Sequence, residues 1–191
     1  GSTAIFNSIR SNTDLGVIAL TTPPVLTGTG SGNNNGIIGG WAVRSTITSG
    51  VQAFEWATIA TQTVNSVNVN AITGLTSYTA ANAATSIHGW AAGQNIKMTV
   101  SQTPTSFGSH TINSLNIQSG SGLTLTINPV SSGTVSTLII DSGGILATQA
   151  THTIAGGRLT AGSFSGSTIN PYAYELFFQL PTNQLNVTSS I

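Results

Sequence analysis

Short apolar runs alternate with hydroxyl and amide residues along almost the whole chain. In Leu123-Thr-Leu-Thr-Ile127 the alternation is strict, which predicts a strand with one apolar and one hydroxylated face. The same pattern predicts strands at Val17–Thr21, Ile37–Thr48, Gln52–Ala60, Thr63–Val69, Ile96–Ser101, Thr111–Gln118 and Leu123–Asn128. It continues with Val135–Asp141, Ile145–Thr148, His152–Ala155, Arg158–Thr160 and Tyr174–Leu180. Between the runs lie turn signals such as Ser119-Gly-Ser-Gly122, Ser142-Gly-Gly144 and Ala155-Gly-Gly157, where glycine supplies the backbone conformations that corners need. Helix signals are nearly absent. The Ala-rich stretch Tyr78–Ala92 reads as a loop holding at most one turn of helix.

The pattern also repeats. Thr63–Thr76 (TVNSVNVNAITGLT) and Thr111–Thr124 (TINSLNIQSGSGLT) share seven of fourteen residues at an offset of 48. A shorter echo relates Ser114–Gly120 to Thr137–Gly143 at an offset of 23, close to half the longer one. A period of about 20–25 residues built from strands and turns is the mark of a β-solenoid. The expected fold is therefore all-β, a parallel β-helix in a single unit spanning 1–191, with less regular first coils over 1–60 and regular coils over 61–191. On this reading Asn65 with Asn113, and Asn68 with Asn116, are candidate stacked amides.

Composition sharpens the picture. The 191 residues are 39% hydrophobic, enough for a core, but only 4% charged, against about 25% in an average soluble domain. Four basic and four acidic residues cancel, so the chain lacks the cations a nucleic-acid partner demands. With no cysteine, disulfides and thiolate metal sites are impossible. No apolar run is long enough to be a membrane-spanning helix. The first residues lack a signal-peptide layout, so an export address, if there is one, lies outside this sequence.

Candidate chemistry is sparse. Gly28-x-Gly30-x-Gly32 lacks the strand, helix and acid of a dinucleotide site and reads as a loop. Asp14, Glu55, Asp141 and Glu175 are the acids; glycoside hydrolysis needs two of them facing one substrate, and nothing in their spacing brings a pair together. Glu55 lies between Phe54 and Trp56, with Arg44 its expected partner. His88, His110 and His152 show no metal-ligand spacing. His110 and His152 both precede Thr-Ile and are expected at equivalent strand starts. Trp41, Trp56 and Trp90 are read as core or cap residues before a carbohydrate platform. Asn186-Val-Thr188 fits the glycosylation pattern, which arises by chance in so Asn- and Thr-rich a chain. No catalytic, metal or cofactor residue is assigned, and the chain is expected not to be an enzyme.

Gly36-Ile-Ile-Gly-Gly-Trp-Ala-Val43, Phe54-Glu-Trp-Ala-Thr58, Ser142-Gly-Gly-Ile-Leu-Ala-Thr148, His152-Thr-Ile-Ala-Gly-Gly-Arg-Leu-Thr-Ala-Gly162 and Tyr174-Glu-Leu-Phe177 resemble stretches of bacterial proteins with autotransporter-associated β-strand repeats. The resemblance covers most of the chain, from about Ala4 to Ile191. It implies large secreted or surface-displayed proteins whose repeats form a right-handed parallel β-helix, and it brings no catalytic residues.

The expected role is accordingly a structural one at the bacterial cell surface: a stalk, adhesin or fibre segment. Its partners would be copies of itself, adjacent repeats or surface glycans, with no nucleic acid and no membrane-spanning segment. A carbohydrate-binding or carbohydrate-active β-helix is the alternative, and a phage tail fibre or spike a third, which a three-fold assembly would favour. Both termini read as strands in progress, so either the chain is cut from a longer one or protomers stack end to end. In the second case Tyr172, Tyr174, Phe177 and Phe178 are the candidate protomer contact.

Overall fold

The computed structural model describes residues 4–8, 17–28, 36–48, 51–81, 86–128, 133, 135–162 and 175–191. They form an all-β protein in two regions with different pairing rules.

The first region is a five-stranded sheet in the order β1-β3-β4-β5-β2. Its strands are β1 (Ala4–Ser8), β2 (Ala19–Leu20), β3 (Ala42–Thr48), β4 (Val51–Val64) and β5 (Val67–Gly74). β4 serves two partners in succession: Val51–Trp56 pairs antiparallel with β3, and Ala57–Val64 pairs antiparallel with β5. The β4–β5 connection is the two-residue turn Asn65-Ser66, with φ of 48° and 65°. Two consecutive positive-φ residues match the twist of the flanking strands and make the favoured tight hairpin. The expected strand Thr63–Val69 is therefore interrupted by a hairpin turn. This sheet, antiparallel except where β1 pairs parallel with β3, runs to Gly74, past the change of regularity expected near residue 60.

In the second region most neighbours are parallel. β6 (Thr79–Ala81), β7 (Asn95–Met98), β8 (His110–Gln118), β10 (Thr137–Thr148) and β12 (Arg158–Ala161) follow one another across one sheet, and β13 (Phe177–Gln179) also pairs with β10. β9 (Thr124–Thr126), β11 (His152–Ala155) and β14 (Leu185–Val187) form a second sheet. In the first of these sheets Ile96, Leu115, Ile145 and Phe178 are successive partners. In the second, Gln102, Leu125, Ile154 and Val187 are successive partners. The two sheets thus advance in step, one strand each per passage of chain. In both series the stretch of chain between partners lengthens at every step, and the later steps exceed the expected period. Connections of different length leave the rungs, so the spacing is less even than the sequence echo implies.

β10 is long because it turns a corner. Its first half pairs with β12 and its second with β13, and the register against β8 shifts between Ile140 and Gly144. Gly143 sits at that corner with φ +71°, and a Cβ there would collide with the Glu175 carbonyl. The two strands expected at Val135–Asp141 and Ile145–Thr148 are the two halves of this one.

Aliphatic residues in register form the main core: Ile96, Leu115 and Ile145; Ile112 and Ile140; Leu125 and Ile154. The second half of β10 is buried on both faces, as parallel strands commonly are. Ile145 and Ala147 face this aliphatic core, whereas Leu146 joins Ile37, Val43, Phe54, Trp56 and Leu75 in a second, aromatic-rich cluster. That cluster joins the two regions. At its edge Gly40 and Gly144 lie back to back. A Cβ on Gly144 would come within 2.5 Å of Gly40 Cα and 2.9 Å of the Trp56 ring, so only glycine permits this approach.

The fourteen-residue echo does not survive as a structural equivalence. Thr63–Thr76 folds as an antiparallel hairpin, while Thr111–Gln118 lies within the single parallel strand β8. Among its described residues, the stretch after Tyr78 holds the short strand β6 and a single 3-10 turn, Ser86–Gly89. No helix among the described residues is long and apolar enough to cross a membrane.

Candidate functional site

The richest polar constellation lies where the first region covers the outer face of β7 and β8. Four side chains from separate elements converge there. Glu55 comes from β4, one residue before Trp56, the last to pair with β3 before the strand changes partner. Lys97 comes from β7 and Asn116 from β8, and these two are register partners. Tyr78 comes from the segment linking the two regions.

Glu55 Oε1 accepts from Lys97 Nζ at 2.7 Å. Its other oxygen accepts from the Tyr78 hydroxyl at 2.6 Å and from Asn116 Nδ2 at 3.0 Å. Asn116 Nδ2 also lies 3.3 Å from the Tyr78 oxygen, which accepts from the Trp56 backbone N–H at 3.3 Å. Lys97 Nζ stands 4.9 Å from the Tyr78 ring centre, within cation–π range. Tyr78 is held well above its ordinary pKa, first by burial and then by the adjacent Glu55 carboxylate. The phenol therefore stays protonated and donates. Lys97 and Glu55 keep roughly a quarter of their side chains exposed, at 25% and 22%, while Asn116 is fully buried and its Oδ1 has no partner.

Arg44, the expected partner of Glu55, is its cross-strand neighbour in the β3–β4 pairing, but no ion pair forms. Arg44 is buried, which lowers its pKa, and its guanidinium donates to the Phe6 carbonyl at 3.2 Å. The carboxylate of Glu55 instead serves the second region. Spacing could not reveal this, because Lys97 and Asn116 lie far along the chain on strands that only tertiary packing brings alongside.

The other candidates scatter. Asn65 and Asn68 belong to the exposed β4–β5 hairpin, where Asn68 Oδ1 accepts from Thr63. Asn113 and Asn116 lie on β8 in another sheet, so the expected amide pairs are not brought together. Asn113 has a different row: its Nδ2 donates to Asn95 Oδ1 at 2.7 Å, Ser114 donates to the same oxygen at 2.7 Å, and Ser142 donates to the Asn113 carbonyl at 2.6 Å. Asn113 also donates to the Thr27 carbonyl at 3.2 Å. Sequence reading misses Asn95 and Ser142; their only signal is placement beside buried strand positions.

Phe177 is buried and Phe178 half-buried; Phe178 packs on the aliphatic core, and both pair with β10. Tyr172 and Tyr174 lie outside the described residues, as does Asp14. Trp56 and Trp90 are core residues. Trp41 is half-buried and lines an open groove of about 590 Å³ with Phe6, Leu20, Pro23, Pro24 and Ile38.

His110 and His152 do begin strands, but on different sheets. His152 is fully buried; its Nδ1 accepts from the Leu123 N–H at 3.0 Å, and its Nε2 donates to the Thr148 carbonyl at 2.9 Å. This is a structural imidazole that ties the two parallel sheets together. Asp141 sits at the β10 corner, its carboxyl pushed above the ordinary range by burial. No group of three or more His, Asp or Glu side chains among the described residues is arranged to hold a metal ion.

No protein-family model, no curated protein and no solved structure matches this chain.

Proposed function

We propose that the chain is a structural segment of a bacterial surface or secreted protein, a parallel β-solenoid serving as stalk, adhesin or fibre. One observation carries this reading: two parallel sheets that advance in step, Ile96-Leu115-Ile145-Phe178 beside Gln102-Leu125-Ile154-Val187. Stacked rungs of this kind bury an aliphatic column and hydrogen-bond along one axis, so their natural product is length. The motif resemblance to autotransporter-associated repeat proteins points the same way, as does a surface that relies on hydroxyls and amides with 4% charged residues. Self-association through open sheet edges would then respond little to salt.

Electron microscopy of the purified chain at two concentrations tests this. Filaments lengthening with concentration identify a self-assembling fibre subunit. Short rods at both concentrations identify a segment of a larger surface protein. Particles with no long axis overturn the solenoid reading. A carbohydrate-binding role is the second reading, favoured by the half-buried Trp41 in its open groove.

A further inference from the structure

The Glu55 cluster contains more than an ion pair. An amine, a carboxamide and a carboxyl group that touches both are the three components of amide exchange. Lys97 and Asn116 face each other on adjacent parallel strands, whose backbones lie about 4.8 Å apart. Glu55 bridges them, with one oxygen on Lys97 Nζ and the other on Asn116 Nδ2. Asn116 is fully buried, and its carbonyl oxygen lacks a donor. A buried acceptor left unpaired is costly, and the remedy lies within the cluster. If the proton of Lys97 passes to Glu55 and the carboxamide turns over, Oδ1 faces two donors, the Glu55 carboxyl and the Tyr78 hydroxyl. That arrangement polarises the carbonyl beside a neutral amine.

We propose that Lys97 and Asn116 are the site of an intramolecular isopeptide bond, with Glu55 as the catalytic residue. Glu55 Oε1 takes a proton from the Lys97 ammonium, leaving an amine whose lone pair attacks Asn116 Cγ. The Nζ–Cγ bond forms, and the carbonyl electron pair moves onto Oδ1, which the Tyr78 hydroxyl stabilises. A second Nζ proton passes to Nδ2, the other nitrogen on the now tetrahedral Cγ. The Cγ–Nδ2 bond then breaks, the carbonyl re-forms, and ammonia leaves with the proton that Glu55 first accepted. The balance is Lys ammonium plus Asn carboxamide giving a secondary amide plus ammonium; no oxidant, metal or nucleotide is consumed. The Trp56 backbone N–H holds the Tyr78 oxygen beside the cluster, and the remaining exposure of Lys97 and Glu55 gives ammonium a way out. The bond would staple β7 to β8 beneath the junction of the two regions and would hold under tension that separates hydrogen-bonded strands.

Intact-mass spectrometry of the folded chain, followed by peptide mapping, tests the proposal. The expected result is a mass about 17 Da below that of the sequence, one ammonia lost in the exchange, with a branched peptide joining Lys97 to Asn116. Lys97→Arg and Glu55→Gln should each restore the full mass. The full mass in wild-type protein held folded, with Lys97 and Asn116 in separate linear peptides, overturns the bond. An ammonia loss that persists in Lys97→Arg also overturns it, because the loss then comes from an asparagine that cyclises without the lysine. Should Glu55→Gln fail to fold, the wild-type peptide map and the Lys97→Arg mass decide the matter. The result is independent of whether the chain assembles into fibres.

Discussion

The two regions solve the register problem in opposite ways. In the first region a turn of two residues, Asn65-Ser66, places all eight antiparallel pairs of β4 and β5. That region buries one cluster around Ala42, Ala57, Ile59 and Ile72 and shares a second, aromatic-rich one around Phe54 and Trp56 with the other region. In the parallel region no turn can set the register, because even the nearest partners, such as Thr79 and Ile96, are separated by a long passage of chain. There the alignment rests on like residues stacked in columns and on buried polar hooks: Asn95 with Asn113 and Ser114, Ser142 with the Asn113 carbonyl, His152 between Leu123 and Thr148. A slip by one residue would bury the wrong face and strand each hook at once. Local chemistry therefore specifies one half of the molecule and distant side chains specify the other.

The contrast is broken most forcefully at the joint. Trp56→Ala removes the fully buried ring that packs against Leu146 of β10. It should cost about 3–5 kcal/mol and lower the amide exchange protection of both β4 and β10. Loss of protection confined to β4 would mean that the regions fold independently.

A smaller, pH-dependent effect should come from Tyr78. Its folded pKa is raised above the ordinary 10.0. The stability it contributes is thus complete below that value and is lost as pH rises through the folded one. Denaturant melts should show wild type losing stability above pH 10, while Tyr78→Phe, weaker by about 1 kcal/mol at neutral pH from the lost hydrogen bond, should not share that alkaline decline.

The smallest change sharpens the local half alone. Ser66 is strained at φ 65°, so Ser66→Gly should stabilise the hairpin by about 0.5–1 kcal/mol. Hydrogen exchange should slow along β4 and β5 and stay unchanged in β8.

The same contrast explains what could be read from the sequence. Strands at Thr111–Gln118, His152–Ala155 and Arg158–Thr160 were legible because alternation and Gly-rich corners are local signals. The all-β class followed from them; the parallel pairing was expected from the repeat, whose fourteen-residue echo has no structural counterpart. The sequence Asn-Ser, however, occurs in both echoed segments. At 65–66 it is an exposed turn and at 113–114 the buried middle of a strand. What separates the two is Asn95, which offers the second pair a buried acceptor, and no window around either segment contains it. The Glu55 cluster was hidden for the same reason. Arg44 was the near candidate across the hairpin; Lys97 and Asn116 became neighbours only when β7 and β8 docked beneath it. Of the two Gly-Gly motifs, 143–144 was visible as a turn, whereas 39–40 fell within the expected strand Ile37–Thr48, which begins only at Ala42; their mutual contact had no sequence signal beyond their both being glycine.

The uneven steps between parallel partners have a consequence for how such a chain can change. Successive rungs take up unequal lengths of chain, yet each adds the same strand spacing of about 4.8 Å. On the proposed solenoid reading, length along the axis is counted in rungs, and the surplus chain gathers at the corners, where doubling a flexible loop costs only about 0.6 kcal/mol. A corner can therefore take in a whole new peptide, such as an epitope or a binding loop, and display it at a fixed height without moving any rung above or below. The fold behaves as a ruler with blank labels, its graduations set by backbone geometry and its inscriptions open to rewriting.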